Sequence, residues 1–309
     1  MAFGIIKKLK RTKRFKIKTQ KLAYKYALIA IFFWSTVATA FKVALEYLKP
    51  FELVFYASIT STLILLIIIL YQNKTNEVIS HIKKNFKTVL ILGCINPFLY
   101  YLVLFKAYDI LPAQEAQAIN YTWALMLTFL SVIFLKQKLT LSDIVAGIIC
   151  YFGVLIISTK GEPFSLNFSN MDGVFLALLS TVLWSMYWIF NTKAKVDPVV
   201  GLFSNFLIAV PILTTYFIFT QDFVIPSISA LGAAIYVGFF EMGFTFLFWL
   251  KAMQNAESTS KIANLIFISP FISLIFIYFI LGEQIYVSTV VGLTTIIFGL
   301  IFQQTKLSK

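Results

Sequence analysis

The side chain under the strongest chemical constraint in this sequence is Glu241, the one acid placed mid-run, in an apolar stretch at 229–250. An isolated carboxylate in hydrocarbon costs several kcal/mol, so such a group must be protonated, paired or facing water, and is a functional candidate by default. It could grip a substrate amine or carry a coupling proton. The competing role is a structural hydrogen bond to Tyr236 or a neighbouring helix. Setting Lys106 against Lys251 gives an offset of 145 residues and places Asn96 opposite Glu241. Two facing polar groups at one depth would suit a binding site, and the carboxyl is expected to face a central cavity beside Asn96.

Other polar residues interrupt the apolar runs in matched places. The run at 115–135 opens with Gln114, Glu115, Gln117, Asn120 and Tyr121, and positions 117, 120, 121 and 124 share one helical face. A later run at 260–281 offers Ser260, Lys261 and Asn264. Polar faces on matched helices read as cavity lining or as interhelical hydrogen bonding. Trp34, Trp184, Tyr187, Trp188 and Asn191 could wall the cavity, although membrane aromatics also serve as packing and interfacial belt. The candidates for binding solute or coupling are therefore Glu241, Asn96, Asn120, Tyr121, Gln117, Lys261, Asn264, Trp34, Trp184 and Tyr187. One histidine (His81) and two cysteines (Cys94, Cys150) offer no His-based metal site and no disulfide scaffold. No Walker A lysine loop and no G-x-G-x-x-G occur, so no metal, cofactor or nucleotide-driven step is implied.

The elements that must position these residues follow from composition. The 309 residues are 60% hydrophobic and only 13% charged, with a mean hydropathy of +0.87 and 33 Phe. A soluble chain carries roughly twice that charged fraction. An all-α polytopic membrane protein is expected. A bilayer core takes about 20 apolar residues as helix, and ten such runs are present: 26–45, 51–71, 88–107, 115–135, 141–159, 172–191, 198–220, 229–250, 260–281 and 286–304. These are spans 1 to 10. The joints between them carry turn formers such as Lys49-Pro50, Asp197-Pro198 and Pro226, and Pro97 and Pro270 fall inside spans, where they could kink them.

The net charge of +13 is concentrated at one end. Ten Lys or Arg and no acid occupy the first 25 residues. A basic arm before a membrane span is drawn to anionic lipid and retained on the cytoplasmic side. It lacks the interleaved aromatics of a nucleic-acid platform and the cleavage pattern of a signal peptide. With the N-terminus inside, 22 of the 26 basic residues fall on cytoplasmic segments and three (Lys49, Lys106, Lys160) on outer ones. That bias predicts the inner membrane with both termini, and the loop at 72–87, in the cytoplasm.

The two halves echo each other. Trp34-Ser35 returns as Trp184-Ser185, Phe105-Lys106-Ala107 as Leu250-Lys251-Ala252, and Gly147 and Gly153 as Gly292 and Gly299. Five spans is an odd number, so the second copy must be inverted, as in secondary transporters with a midplane site between repeats. The expected layout is a basic arm at 1–25, a first five-helix repeat at 26–159, an outer linker at 160–171, a second repeat at 172–305 and a tail at 306–309. The glycine pairs read as close helix contacts, or as a seam through which two copies could form a homodimer.

These residues resemble the drug/metabolite transporter superfamily, whose members pair two EamA-type repeats of five helices. The likeness is carried by Phe33-Trp34-Ser35-Thr36 with Lys42, by Leu183-Trp184-Ser185 with Thr192 and Lys193, and by Leu281-Gly282-Glu283 after Pro270. Ile119-Asn120-Tyr121-Thr122-Trp123 is similar to the aromatic amino acid exporter branch, with Ala124 where that branch has Pro. The first copy reads Leu135-Lys136-Gln137 where the second has Leu-Gly-Glu. The resemblance implies a non-enzymatic carrier moving a small organic solute by alternating access, with amino acids or related amphipathic solutes as the exported class. An exchange carrier for a charged metabolite, such as S-adenosylmethionine or a nucleotide sugar, also lies within the superfamily. A membrane-embedded enzyme would need convergent acids and histidines, and the 13 acids are scattered. A passive channel fits poorly with polar positions paired by repeat.

Overall fold

The computed structural model describes residues 20–136, 138, 140–165, 168–193, 196–220, 226–256, 262 and 265–307. All ten apolar runs are helical. Span 1 is α1 (Gln20–Leu45) and span 2 is α2 (Pro50–Tyr71), with Pro50 in the first turn, where its missing N–H costs nothing. Span 3 is α3 (Thr75–Gly93), a π-helical turn (Cys94–Leu99) and α4 (Tyr100–Ile110). Span 4 is α5 (Ala113–Asn120) and α6 (Trp123–Leu135); spans 5, 6 and 7 are α7 (Leu141–Ser158), α8 (Met171–Lys193) and α9 (Pro198–Thr220). Span 8 is α10 (Ile228–Tyr236), a π-helical turn (Val237–Phe244) and α11 (Thr245–Asn255). Span 9 runs as a 3₁₀ turn (Leu265–Ile268), α12 (Ser269–Phe276) and a π-helical turn (Ile277–Leu281), and span 10 is α13 (Val287–Leu307). Eight of these crossings are long and apolar helices; spans 9 and 10 are shorter apolar ones.

Two expectations change. The stretch 72–87, read as a loop, is mostly helical: α3 begins at Thr75 and kinks at Asn85 (φ −129°, ψ 30°), where the Asn85 amide donates to the His81 carbonyl. Pro270 does not kink a helix interior but stands in the first turn of α12. The glycine pairs, read as close helix contacts or a seam between copies, make their contacts within the chain. A Cβ on Gly153 would lie 2.7 Å from the Gly292 carbonyl oxygen, one on Gly292 would lie 2.6 Å from that of Gly153, and Gly299 abuts Cys150. Spans 5 and 10 thus meet backbone to backbone, while Gly147 faces Phe129. In lipid, where apolar burial between helices gains little, such close van der Waals contact is what holds helices together.

The repeat is visible in backbone geometry. The π-helical turns of spans 3 and 8 end at Leu99 and Phe244, positions related by the 145-residue offset. A glycine precedes or opens each: Gly93 against the Asn205 carbonyl of span 7, Gly238 against the Ala57 carbonyl of span 2. Spans 4 and 9 both break at mid-length, at Tyr121–Thr122 and at Leu265–Ile268. Their ends match too, since Lys136 and Gly282 both adopt the left-handed conformation (φ 55° and 67°).

Contacts between joints sort the two ends of the bundle as ten alternating crossings require. Lys74, between spans 2 and 3, bridges Asp197, between spans 6 and 7, at 2.7 Å. At the opposite end the joints after spans 1, 3, 5 and 9 meet. Broadly exposed Leu63, Ile67, Ile133, Ile148, Phe175, Ile218 and Phe279 cover the outside, a surface suited to lipid and not to water.

Candidate functional site

Glu241 lies in the π-helical turn of span 8. Such turns widen the helix and frequently mark functional positions. Its Oε1 accepts a hydrogen bond from the Tyr101 hydroxyl at 3.2 Å. Tyr101 is buried, whereas the carboxyl side chain keeps partial exposure. The hydroxyls of Tyr100, Tyr108 and Tyr121 also lie within its electrostatic reach. One carboxyl from the second repeat therefore meets a tyrosine of the first directly, with three more in its electrostatic surroundings. Tyr236 is not its partner: that hydroxyl pairs with Thr36 at 2.6 Å.

Asn96 occupies the equivalent turn of span 3, where its backbone leaves the helix (φ −136°, ψ 115°). Asn96 and Glu241, expected side by side, take different partners. Asn96 engages the Tyr187 hydroxyl, which also accepts from Asn205 Nδ2 at 3.4 Å, while Glu241 engages Tyr101. The buried Asn96 Oδ1 has no donor.

Aromatic rings join the two halves of the site. Trp184 stacks on Tyr100 (centroids 4.5 Å, 24°) and on Tyr187 (5.5 Å, 22°). Trp34 stands edge-on to Phe246 (5.7 Å) and beside Trp249 (5.4 Å), and Phe246 reaches Trp184 at 6.3 Å. Asn120, at the end of α5, donates to Ser180 Oγ at 2.9 Å and engages Tyr100; Tyr121, in the break, engages Ser269. The helical face 117–120–121–124 is thus interrupted, and Gln117 is buried. Lys261 and Asn264 lie outside the described residues.

The Trp-Ser pairs have a common use. Ser35 donates to Ser269 Oγ at 3.1 Å and Ser185 to the Trp123 carbonyl at 2.9 Å. Positions 269 and 123 correspond in the two repeats, so each serine ties its helix to the break of the other repeat's broken span.

At the end carrying Lys42, the joint between α4 and α5 is held by opposite charges. Lys42 Nζ donates to the carbonyls of Tyr108 (2.8 Å) and Leu111 (3.1 Å), as a cation should at a helix C-terminus. Glu283 accepts from the Ala113 N–H at 2.8 Å, as a carboxylate should at a helix N-terminus. Gln114 donates to the Gln284 carbonyl at 2.9 Å and accepts from Thr289 at 2.7 Å, and Ser169 donates to Glu115 at 2.7 Å. A cavity of about 290 Å³ lies at this rim between Lys42, Glu46, Asp109 and Glu283. Sequence reading missed Tyr100, Tyr101, Asn205 and Ser269. Asn205 was open to discovery as a lone amide inside span 7; the tyrosines gave no signal beyond standing a turn after Asn96.

Comparison with known proteins follows this geometry. The chain is 26% identical over 281 residues to an uncharacterized transporter of Archaeoglobus fulgidus, covering 88% of this chain and 95% of that one. It is 24% identical over 280 residues to the uncharacterized transporter YoaV of Bacillus subtilis, covering 88% and 92%. A solved crystal structure superposes with a TM-score of 0.65 at 19% identity, covering 92% of this chain and 96% of the other, which shows the shared fold. The family signature itself occurs twice, over residues 21–159 and 171–303, and by that duplication the chain belongs to the EamA-like transporter family, membrane carriers and not enzymes.

Proposed function

We propose that this protein is a secondary transporter of the cytoplasmic membrane, with both termini inside, that exports amino acids or related amphipathic solutes by alternating access. The observation that carries the reading is the single mid-membrane carboxyl, Glu241, set against tyrosines of the opposite repeat and flanked by stacked aromatics. Spans 3, 4, 8 and 9 all break beside it. Broken helices around a midplane site are the arrangement in which one repeat can rock against the other. The likeness of Ile119–Trp123 to the aromatic amino acid exporters supports an aromatic body in the solute; here Asn120 and Tyr121 contact the site's Tyr100 and Ser269.

A second reading, exchange of a charged metabolite, is favoured for a sulfonium such as S-adenosylmethionine by the same carboxyl. Counterflow of a metabolite panel in proteoliposomes tests both. In Glu241→Gln, which keeps shape and hydrogen bonding but removes titration, insertion and folding should be normal while pH-dependent uphill transport falls at least tenfold. An unchanged pH profile with wild-type uphill transport would retire the coupling role and leave Glu241 as helix glue.

A further inference from the structure

Resting on the transport reading but departing from its amino-acid class, we propose that the central site selects a solute by a cationic ammonium head attached to an apolar or aromatic body, and disfavours solutes that also carry a carboxylate. Three observations point there. First, Glu241 has no basic partner among the described residues, where the ion pairs are Lys74–Asp197 and Lys106–Asp109, both at helix ends. Lys42, the basic residue within span 1, is committed to the carbonyls of Tyr108 and Leu111. A carboxyl set among tyrosines thus has no counter-charge among the described residues.

Second, among the described residues no cation lies over the ring faces beside it; their cation–π contacts lie elsewhere, Lys160 over Tyr286 and Lys251 over Tyr26. Tyr100, Trp184 and Tyr187 present a stack of electron-rich faces, the surface that attracts organic ammonium ions. Third, two of the unmet polar atoms near Tyr187 are acceptors, beside the unmet donor Trp188 Nε1. Asn96 Oδ1 and Asn205 Oδ1 are buried without donors. Acceptors, a carboxylate and ring faces match an ammonium group; a solute carboxylate would need a basic residue, and none among the described residues approaches Glu241.

The test uses three probes with one phenethyl body: 2-phenylethylammonium (cation), phenylalanine (zwitterion) and 3-phenylpropionate (anion). Each is titrated calorimetrically into the purified full-length protein in detergent. The cation should bind at least tenfold more tightly than phenylalanine and the anion should give no binding signal. Glu241→Gln should weaken the cation at least tenfold. Should that variant fail to fold, Tyr100→Leu should weaken the cation at least threefold and weaken it more than phenylalanine.

Equal or tighter binding of phenylalanine or phenylpropionate overturns the inference. So does unchanged cation affinity in Glu241→Gln, equal loss for both ligands in Tyr100→Leu, or no cation binding at millimolar concentration. Counterflow on the same preparation separates the two readings. A protein that transports zwitterions and ignores the cation keeps the transport reading and loses this one. A protein that binds the cation yet shows no counterflow of any solute does the reverse.

Discussion

At the wide turn of span 3 the polar side chain is Asn96, buried and engaged by Tyr187; at the matching turn of span 8 it is Glu241, partly exposed and engaged by Tyr101. The backbone device is shared, down to a glycine packed on a carbonyl of the neighbouring span. The chemistry is not. A neutral amide can be enclosed at the cost of one unmet acceptor, about 1–3 kcal/mol, whereas a carboxyl must stay within reach of water, a donor or a ligand. Partners diverge in step: the position equivalent to Tyr101 is Phe246, which has no hydroxyl to donate. Duplication therefore supplied a related frame, and the site acquired its charge by divergence of side chains, while the backbone diverged at Asn96.

The sharpest way to break that comparison is to fill the paired glycines. An alanine Cβ at Gly238 would overlap the Ala57 carbonyl oxygen and lie 2.7 Å from Thr60 Cβ, and at Gly93 it would lie 2.7 Å from the Asn205 oxygen with Ala209 Cβ at 3.6 Å. The atoms in the way are chiefly backbone, which cannot rotate aside, so overpacking should cost about 1–3 kcal/mol or more. Thermal midpoints of detergent-purified variants should fall for both and furthest for Gly238→Ala. A wild-type midpoint in either would show that the turns are not pinned by these contacts.

A smaller effect separates the two tryptophans. Trp184 is buried and stacked on two tyrosines, while Trp34 meets two rings at steeper angles and keeps partial exposure. Each aromatic pair contributes about 0.5–1.5 kcal/mol beyond its buried area. Trp184→Leu should therefore reduce counterflow by roughly tenfold, and Trp34→Leu by less, with both proteins still monodisperse. Equal loss of folded yield and transport would mark both as packing residues.

How much of this was legible beforehand depends on which physics wrote it. Ten crossings were readable because a bilayer needs about 20 apolar residues per helix, and Glu241 because a mid-membrane acid is too costly to be incidental. The frame of the Trp-Ser pairs was legible as repetition, but not its purpose. That Ser35 and Ser185 bond the breaks of spans 9 and 4 depends on tertiary placement. Tyr101 was invisible for the same reason: in a chain with 15 Tyr, nothing local distinguishes the one that donates to Glu241. Pro97 marked span 3 for a kink, whereas the break at Tyr121 escaped because helical periodicity assumes an unbroken helix and Tyr121–Thr122 carries neither Pro nor Gly.

The finest test of this related frame and its divergent side chains lies at the ends of spans 4 and 9. Lys136 and Gly282 close these helices in nearly the same left-handed conformation, φ 55° and ψ 32° against φ 67° and ψ 14°. Only glycine adopts it freely; other residues give up roughly 1 kcal/mol. A Cβ at Gly282 would meet nothing within 4 Å, so Gly282→Ala isolates the conformational term from any clash. It should lower stability by about 1 kcal/mol, and Lys136→Gly should raise it by up to a similar amount. Lys136→Ala controls for the lost charge, because it removes the ammonium and keeps the strain. Thermal midpoints that rise for Lys136→Gly, stay level for Lys136→Ala and fall for Gly282→Ala would establish that one backbone is held by two differently suited residues. A rise of equal size in Lys136→Ala would assign the gain to charge, and the matched left-handed caps would then carry no energetic difference between the repeats.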